Sequence, residues 1–202
     1  MQIRTIIILL LFIVFILEIV SQFYVYFYDG FCMNIKEILE NLPQHFPDNF
    51  YVILLKEEKP HFYNFIFLFL KGHLYLKDNL TNVKMESFHG YKTRKDIYIY
   101  GKSSDIILNL AFWSFEKKLS FPKNLKISGT GEISNNGEIN PVLGLDLKLK
   151  VAKRNGINVM FLPFSQRKDR GYDGILYIYP KDYDDAKRNL LMFVLPKVGI
   201  TE

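Results

Sequence analysis

The sequence predicts one α+β domain, α/β-like in its strand and helix order, preceded by one N-terminal transmembrane helix. The chain has 202 residues and is 49% hydrophobic, which is enough for one well-buried domain. An apolar run fills residues 6–28. After residue 50, strand-type and helix-type patterns follow in the order β-rich, α, β, β, α, β, β, α. We therefore divide the chain into an N-terminus (1–5), a transmembrane segment (6–28), a stalk (29–49) and a folded domain (50–202).

The apolar run has the length of a membrane span. Its first part, residues 6–17, contains only Ile, Leu, Phe and Val. As a helix, residues 6–28 would extend about 35 Å, against a hydrocarbon core of about 30 Å. Glu18 would cost on the order of 3 kcal/mol there, which the apolar side chains outweigh at about 7 kcal/mol. This carboxylate would either reach toward the interface or join a helix contact in a membrane oligomer.

The flanking charges predict the orientation of this segment. Arg4 and the α-amino group precede it, and Asp29 follows it. Positive charge is retained in the cytoplasm, so we expect a single-pass protein of a bacterial cell membrane with its C-terminal domain outside the cytoplasm. The alternative is a cleaved signal peptide, but the residues after Leu17 lack the small-x-small pattern of a cleavage site.

The stalk and the domain are assigned element by element. A short helix at 35–42 and a proline-punctuated connector at 43–47 form the stalk. Runs rich in β-branched and aromatic residues predict strands at 51–55, 63–70, 73–76 and 97–100, with a turn at 71–72. Apolar residues at helical spacing predict helices at 103–118, 145–154 and 183–194, the second capped by Asn155 and Gly156. Further strands are predicted at 125–133, 138–142, 158–162 and 175–179, with a turn at 135–137.

Composition excludes several classes of function. The net charge of +5 reflects a mild lysine excess without a polybasic tail, so no nucleic-acid partner is expected. A single cysteine, Cys32, excludes an internal disulfide and a cysteine-built zinc site. The four histidines lack metal-ligand spacing. Gly101-Lys102-Ser103 looks like the end of a phosphate loop, but Asp96 stands where its first glycine is needed. We expect no cofactor and no metal.

One stretch carries a specific pattern of glycines, a proline and a lysine. It reads ISGTGEI at 127–133, GEINPVLGL at 137–145, Lys148, AKRNGI at 152–157 and FLP at 161–163. This pattern resembles the proteolytic domain of the Lon-type serine proteases, peptidase family S16. It is most similar to the membrane-anchored Lon-like branch that lacks the ATPase. The resemblance implies the Lon proteolytic fold over the domain.

The resemblance also implies a pair of site residues. The family's nucleophilic serine sits in G-P-S-A-G, and the aligned residues here are Gly101, Lys102, Ser103, Ser104 and Asp105. Lys148 follows Ser103 at the spacing of the ATPase-free branch and matches the catalytic lysine. Ser128 takes the place where a threonine hydroxyl supports that lysine in the larger Lon proteins. The sequence departs from the motif by Lys102 for proline, Ser104 for alanine, Asp105 for glycine and Leu143 for a later glycine.

The physical chemistry of these residues suits the implied roles. A serine hydroxyl needs a base to take its proton, and a lysine serves only when burial or a positive field keeps its amine neutral. Lys148 lies on the apolar side of its predicted helix with Leu145 and Ala152, so it should point inward. Ser103 at a helix N-terminus has backbone N–H groups nearby for an oxyanion. The opposing interpretation makes Ser103 a helix cap and Lys148 a surface lysine. Ser104 is the alternative nucleophile.

The sequence as a whole predicts a membrane-anchored, ATP-independent serine endopeptidase with a Ser103–Lys148 dyad. Its partners would be unfolded or membrane-proximal polypeptides and the membrane itself, through the N-terminal helix, and a homo-oligomer is plausible from the family. The altered motif around Ser103 motivates an alternative, a catalytically inactive Lon-like domain that serves as a membrane-tethered scaffold. A third option is an adaptor on the cytoplasmic side.

Overall fold

The computed structural model describes residues 2–71, 74–76, 85–94, 102–168 and 173–195. The chain divides into two compact units, which are treated separately below. The smaller contains Met1–Asp29 and Leu55–Thr81, and the larger contains Gly30–Leu54 and Asn82–Glu202. Strands β1 (Tyr24–Asn34) and β2 (Phe50–Glu58) each contribute residues to both units, because the boundaries fall within them.

The smaller unit is built from two helices and short strand pairing. It contains α1 (Gln2–Ser21), the first part of β1, the end of β2, α3 (Phe62–Leu70) and β3 (Tyr75–Leu76). Strand β1 pairs antiparallel with β3, with Tyr24 opposite Leu76. The ring of Phe65 packs edge-on against Tyr24, with centroids 5.5 Å apart. Val25 and Phe65 are buried, while many apolar side chains of α1 and α3 are more than a third exposed.

The predicted transmembrane segment is not a single helix. Helix α1 ends at Ser21, whose hydroxyl donates to the carbonyl of Glu18 at 2.8 Å, and the chain is extended from Tyr24 onward. Helix α1 covers residues 6–21 of the predicted span, and residues 22–28 lie outside it. Within the described ranges, none of the helices has the combined length and apolarity that crossing a bilayer requires. The predicted transmembrane helix, and the single-pass localisation built on it, are therefore wrong.

A second difference concerns residues 63–70, which the sequence predicts as a strand. They lie in α3 instead, where the N–H of Phe65 donates to the carbonyl of His61 at 2.9 Å. A continuous apolar run without alternation does not distinguish a strand from a helix. The edge-on packing of Phe65 against Tyr24 stabilises the helical form. Of the predicted strand 73–76, residues 75 and 76 form β3, and residue 73 and the predicted strand 97–100 lie outside the described residues.

Among the described residues, the larger unit contains four α-helices and parallel strands of the sheet. In chain order its elements are α2 (Ile35–Ile38), β4 (Ser87–Phe88), β5 (Tyr91–Lys92), α4 (Asp105–Glu116), β6 (Ile127–Gly129), β7 (Glu132–Ile133), β8 (Ile139–Asn140), α5 (Leu145–Arg154), β9 (Val159–Phe161), β10 (Leu176–Ile178) and α6 (Tyr183–Leu190). Part of the six-stranded sheet has the order β10-β9-β6-β2, and the three pairs in this part are parallel. The pairs β4–β5 and β7–β8 are antiparallel hairpins. The α+β class predicted from sequence is found.

Side chains of the sheet alternate between two cores. On β9, Phe161 joins a cluster with α4 and α6, while Met160 joins a second cluster with α5. Because successive side chains of a strand point to opposite faces, α4 and α5 cover opposite faces of the sheet. Both helices match the predicted ones closely, and Gly156 follows the C-cap of α5 with a positive φ of 67°. Residues at the starts of α4 and α5 can therefore meet only beyond the ends of the strands.

The segment predicted as a stalk packs into the larger unit. Its helix is one turn long, Ile35–Ile38, and the side chains of Ile35, Ile38 and Phe46 are 0–2% exposed. Asn34 begins this helix with a capping box: its side chain accepts from the N–H of Lys36, and Glu37 accepts from the N–H of Asn34. Residues 30–49 thus contribute to the core.

The tight contact between β6 and β9 depends on a glycine. A Cβ atom at Gly129 would lie 3.1 Å from the Cβ of Phe161 and 3.3 Å from the Cγ2 of Ile106. We expect Gly129→Ala to destabilise the protein by about 1–3 kcal/mol, since both neighbours are buried and cannot withdraw freely. The measurement is urea unfolding of the full chain. Gly137→Ala is the control: it meets no atom within 4 Å, and its positive φ of 85° should cost only about 1 kcal/mol. Equal losses in both variants would contradict the packing argument.

Candidate active site

The candidate site lies at the carboxyl end of strand β6, where the start of α4 meets the chain after Gly129. The N–H of Gly131 donates to the carbonyl of Ser103 at 2.8 Å, and the N–H of Ile106 donates to the carbonyl of Gly131 at 3.2 Å. A Cβ at Gly131 would overlap the side chain of Ile139, so this approach requires glycine. These two backbone hydrogen bonds fix the turn that carries Ser103 against the end of the sheet.

Helix α5 brings Lys148 to the same place from the opposite face of the sheet. The helix begins at Gly144, whose left-handed φ of 66° favours glycine, and the N–H of Lys148 donates to the carbonyl of Gly144 at 3.0 Å. Leu145, Leu149 and Ala152 bury the apolar face of the helix in the second core cluster. Lys148 lies on this face and is 4% exposed.

Two hydroxyl groups contact the amine of Lys148. The Nζ of Lys148 donates to the Oγ of Ser103 and to the Oγ1 of Thr130, both at 2.8 Å. The hydroxyl of Thr130 in turn donates to the carbonyl of Ser103 at 3.0 Å. Ser103 itself is partly exposed. The structure therefore brings together the two residues that the sequence nominates, with the serine open to solvent and the amine buried behind it.

Burial changes the protonation of Lys148. Removal of the amine from water disfavours its charged form and lowers the pKa of Lys148 from the ordinary 10.5 to about 7. At pH 7 about half of the molecules then carry a neutral amine, which has a lone pair available to accept a proton. A lysine with its ordinary pKa would have almost none in that form.

The hydroxyl that supports Lys148 is not the predicted one. Ser128 is fully buried in β6, and its hydroxyl donates to the carbonyl of Tyr51 at 2.8 Å, which ties β6 to β2. The hydroxyl that contacts Lys148 belongs to Thr130, two residues further on. Ser128 and Thr130 are two residues apart, so the alternation of side chains along a strand predicts the same face for both and does not distinguish them. The amine of Lys148 contacts the hydroxyl of Thr130, which lies just beyond the end of β6.

The other residues nominated around Ser103 have different environments. Lys102 is exposed and forms an ion pair with Glu132 of β7, with Nζ and Oε1 3.3 Å apart. Ser104 is 5% exposed and occupies the N-cap of α4 without a side-chain capping bond. Gly101 lies outside the described residues. The N-cap is thus Ser104, while the hydroxyl of Ser103 faces Lys148.

Asp105, which replaces a glycine of the family motif, is a further charged group at the site. It lies in the first turn of α4 and accepts a hydrogen bond from the backbone of Ile133 in β7. Burial raises the pKa of Asp105 to about 6, and the hydrogen bond from Ile133 opposes that rise. The carboxylate thus braces the helix that follows Ser103 against the β7–β8 hairpin.

Among residues 2–71, 74–76, 85–94, 102–168 and 173–195, no three His, Cys, Asp or Glu side chains are grouped to hold a metal ion. Cys32 is partly buried, and burial raises the pKa of its thiol to about 11, so it is a poor nucleophile at neutral pH.

Comparison with known proteins agrees with part of this picture. No protein-family model matches the chain. Over 97 residues it is 34% identical to the Lon protease of Orientia tsutsugamushi (strain Ikeda), a match that covers 44% of this chain and 12% of that protein. The chain thus spans about an eighth of the length of the curated relative it matches. The relationship is Lon-like over this part of the chain, and it favours a function of the protease class.

The burial of Lys148 has a measurable effect on stability. A lysine with a lowered pKa destabilises the folded protein below pH 7, and this cost disappears as the pH rises toward 10.5, because the unfolded chain then also loses the proton. We expect Lys148→Met to raise the free energy of unfolding at pH 6 by on the order of 3 kcal/mol, after lost hydrogen bonds are subtracted. The gain should shrink between pH 7 and 10.5.

Unfolding by urea at several pH values measures this effect. Lys150→Met is the matched control, since Lys150 is exposed on the same helix and should show little change at any pH. If the Lys148→Met protein is less stable than the wild type at pH 6, burial of the amine does not destabilise the folded protein, and the prediction is wrong.

Proposed function

We propose that the chain is an ATP-independent, Lon-like serine endopeptidase that uses Ser103 as nucleophile and Lys148 as general base. The observation that carries the proposal is the 2.8 Å contact between the Nζ of Lys148 and the Oγ of Ser103, with the amine buried and the serine partly exposed. A serine is activated when a base within hydrogen-bond reach takes its proton. The partial similarity to a Lon protease supports the same class of chemistry.

The proposed reaction proceeds through an acyl-enzyme. The neutral amine of Lys148 accepts the hydroxyl proton while the Oγ of Ser103 attacks the carbonyl carbon of a peptide bond. The resulting tetrahedral oxyanion collapses, the C–N bond breaks, and the ammonium of Lys148 returns the proton to the leaving amine. A water molecule then attacks the ester carbonyl while Lys148 takes its proton. The bond between the carbonyl carbon and the Oγ of Ser103 breaks, Lys148 returns the proton to that oxygen, and the acid product leaves with Ser103 and the neutral lysine restored.

Backbone donors at the start of α4 are proposed to hold the oxyanion. The N–H groups of Asp105 and Ile106 donate to the carbonyls of Lys102 and Gly131, so they are already used. We assign the proposed oxyanion contacts to the N–H groups of Ser103 and Ser104, which lie beside the serine hydroxyl at the positive end of the helix dipole.

Thr130 is proposed to keep the lysine in place. Its Oγ1 accepts a hydrogen bond from Lys148 and its hydroxyl proton goes to the carbonyl of Ser103, so it links the base to the nucleophile's backbone. Because one acceptor and one donor are both engaged, its hydroxyl has a fixed orientation. With one N–H of the neutral amine directed to Thr130, the single lone pair of the amine can face the hydroxyl of Ser103.

Loosely folded polypeptide is the proposed substrate. This sequence contains no phosphate-loop pattern with which ATP hydrolysis would unfold a protein. A peptide bond must reach a serine that is only partly exposed, in a turn held against the sheet. A flexible segment can present its carbonyl there, whereas the same bond within a folded domain would remain out of reach.

Activity of the purified full chain on casein tests the dyad. We expect Ser103→Ala and Lys148→Met to reduce cleavage by at least about a thousandfold, because either change removes the nucleophile or its base. Ser104→Ala and Lys150→Met are the matched controls and should keep near-normal rates, since Ser104 is buried and Lys150 is exposed on the far side of α5. Added ATP should not change the rate.

Two other results would redirect the interpretation. Loss of cleavage in Ser104→Ala with activity kept in Ser103→Ala would transfer the nucleophile to Ser104. A folded wild-type protein that cleaves nothing, together with a biological phenotype unaffected by Ser103→Ala, would favour the scaffold alternative.

The pH dependence tests the role of the lysine and its support. The neutral amine is the active form, so kcat/KM should rise with pH through about 7, the pKa of Lys148. Thr130→Val should lower kcat by about tenfold to a hundredfold, because Lys148 loses its second partner. Ser128→Ala should leave the midpoint of the pH profile unchanged, since its hydroxyl bonds to Tyr51. A midpoint near 10 in the wild type would exclude a buried, neutral lysine.

A further inference from the structure

The segment that leads into α5 is held by a side chain from elsewhere in the fold. Residues 141–144 connect β8 to α5, and the helix begins at Gly144, which has no side chain to cap it. Gln166 ends the short 3₁₀ turn Phe164–Gln166, which follows β9. Its Oε1 accepts from the N–H of Val142 at 3.0 Å, and its Nε2 donates to the carbonyl of Val142 at 2.9 Å. One amide thus satisfies both backbone groups of one residue.

This contact lies two residues before the start of the helix that carries the lysine. Val142 is 8% exposed and packs in the same core cluster as Leu145 and Leu149. The carbonyl of Gly144 accepts the N–H of Lys148 at 3.0 Å. A movement of Val142 would therefore pass through Gly144 to the first turn of α5 and to the lysine within it.

We propose that Gln166 is a positioning residue for Lys148: by holding both backbone groups of Val142, it fixes the start of α5 and so the approach of the lysine amine to Ser103. The catalytic consequence rests on the function proposed above, but the positioning itself does not. A displacement of about 1 Å between reacting groups can cost about a hundredfold in rate, so such a restraint on the base is effective.

Glutamine is the side chain that fits this geometry. A primary amide offers a donor and an acceptor on one planar group, which matches the N–H and C=O of a single residue. Methionine has a similar length and fills the same volume without either polar atom. Asparagine keeps the amide but is one carbon shorter, so it cannot reach both groups of Val142 from the same backbone position.

The test measures the protonation of Lys148 directly in the full chain. In Gln166→Met, a loosened helix start admits water to the amine, so the NMR titration of the Lys148 side chain should move upward by about one pH unit. On casein, kcat should fall about tenfold with little change in KM, because the base and not the substrate contact is affected. Gln44→Met is the matched control, the same substitution at an exposed glutamine of the larger unit, and should change neither value.

A second variant covers the case in which Gln166→Met does not fold. Gln166→Asn keeps an amide in the turn and should show a smaller shift in the same direction. An unchanged Lys148 titration in either folded variant overturns the proposal, as does a lower melting temperature with normal titration and normal kcat, which would show a purely structural role. If the wild type cleaves nothing, the proposed function fails, and the NMR titration still decides whether Gln166 positions the lysine.

Discussion

The arrangement of the candidate site is constrained by the burial of one amine. Lys148 is almost fully removed from water, and hydroxyl oxygens of Ser103 and Thr130 are the partners that compensate it. An unpartnered ammonium in that position would be costly enough to expel the side chain or to leave it neutral. Three segments each supply a group to this small cluster: the turn before α4, the end of β6 and the first turn of α5. Their positions relative to one another must therefore be kept.

The parallel sheet explains why those three segments meet. Helices α4 and α5 pack on opposite faces, as the alternation of Phe161 and Met160 between the two core clusters shows. Groups from opposite faces can approach only beyond the end of a strand, and in parallel sheets the carboxyl ends are the usual place for such a crevice. Gly131 permits the approach, because any larger residue would collide with Ile139. The fold thus places chemistry where the strand ends and uses glycine to close the distance.

Sequence reasoning was most successful where local patterns and tertiary packing agree. The sequence predicts helix α5 with its observed bounds, because its apolar face indicates a helix and Asn155-Gly156 indicates where that helix ends. The proximity of Ser103 and Lys148 followed from the family resemblance, and their catalytic roles remain a prediction. Continuous apolar runs were misread: residues 6–28 as a membrane span and 63–70 as a strand, since a uniform run carries no period. Thr130 and Gln166 escaped notice because their partners are fixed only in three dimensions.

The backbone of Ser103 has a consequence for the later steps of the reaction. Its carbonyl oxygen accepts two hydrogen bonds, from the N–H of Gly131 and the hydroxyl of Thr130, so both lone pairs are engaged. With its peptide plane held in this way, the residue can change only by rotation about its Cα–Cβ bond. In the proposed reaction, the free and acylated states would then differ by a single torsion, and the ester would form and be hydrolysed without movement of the main chain.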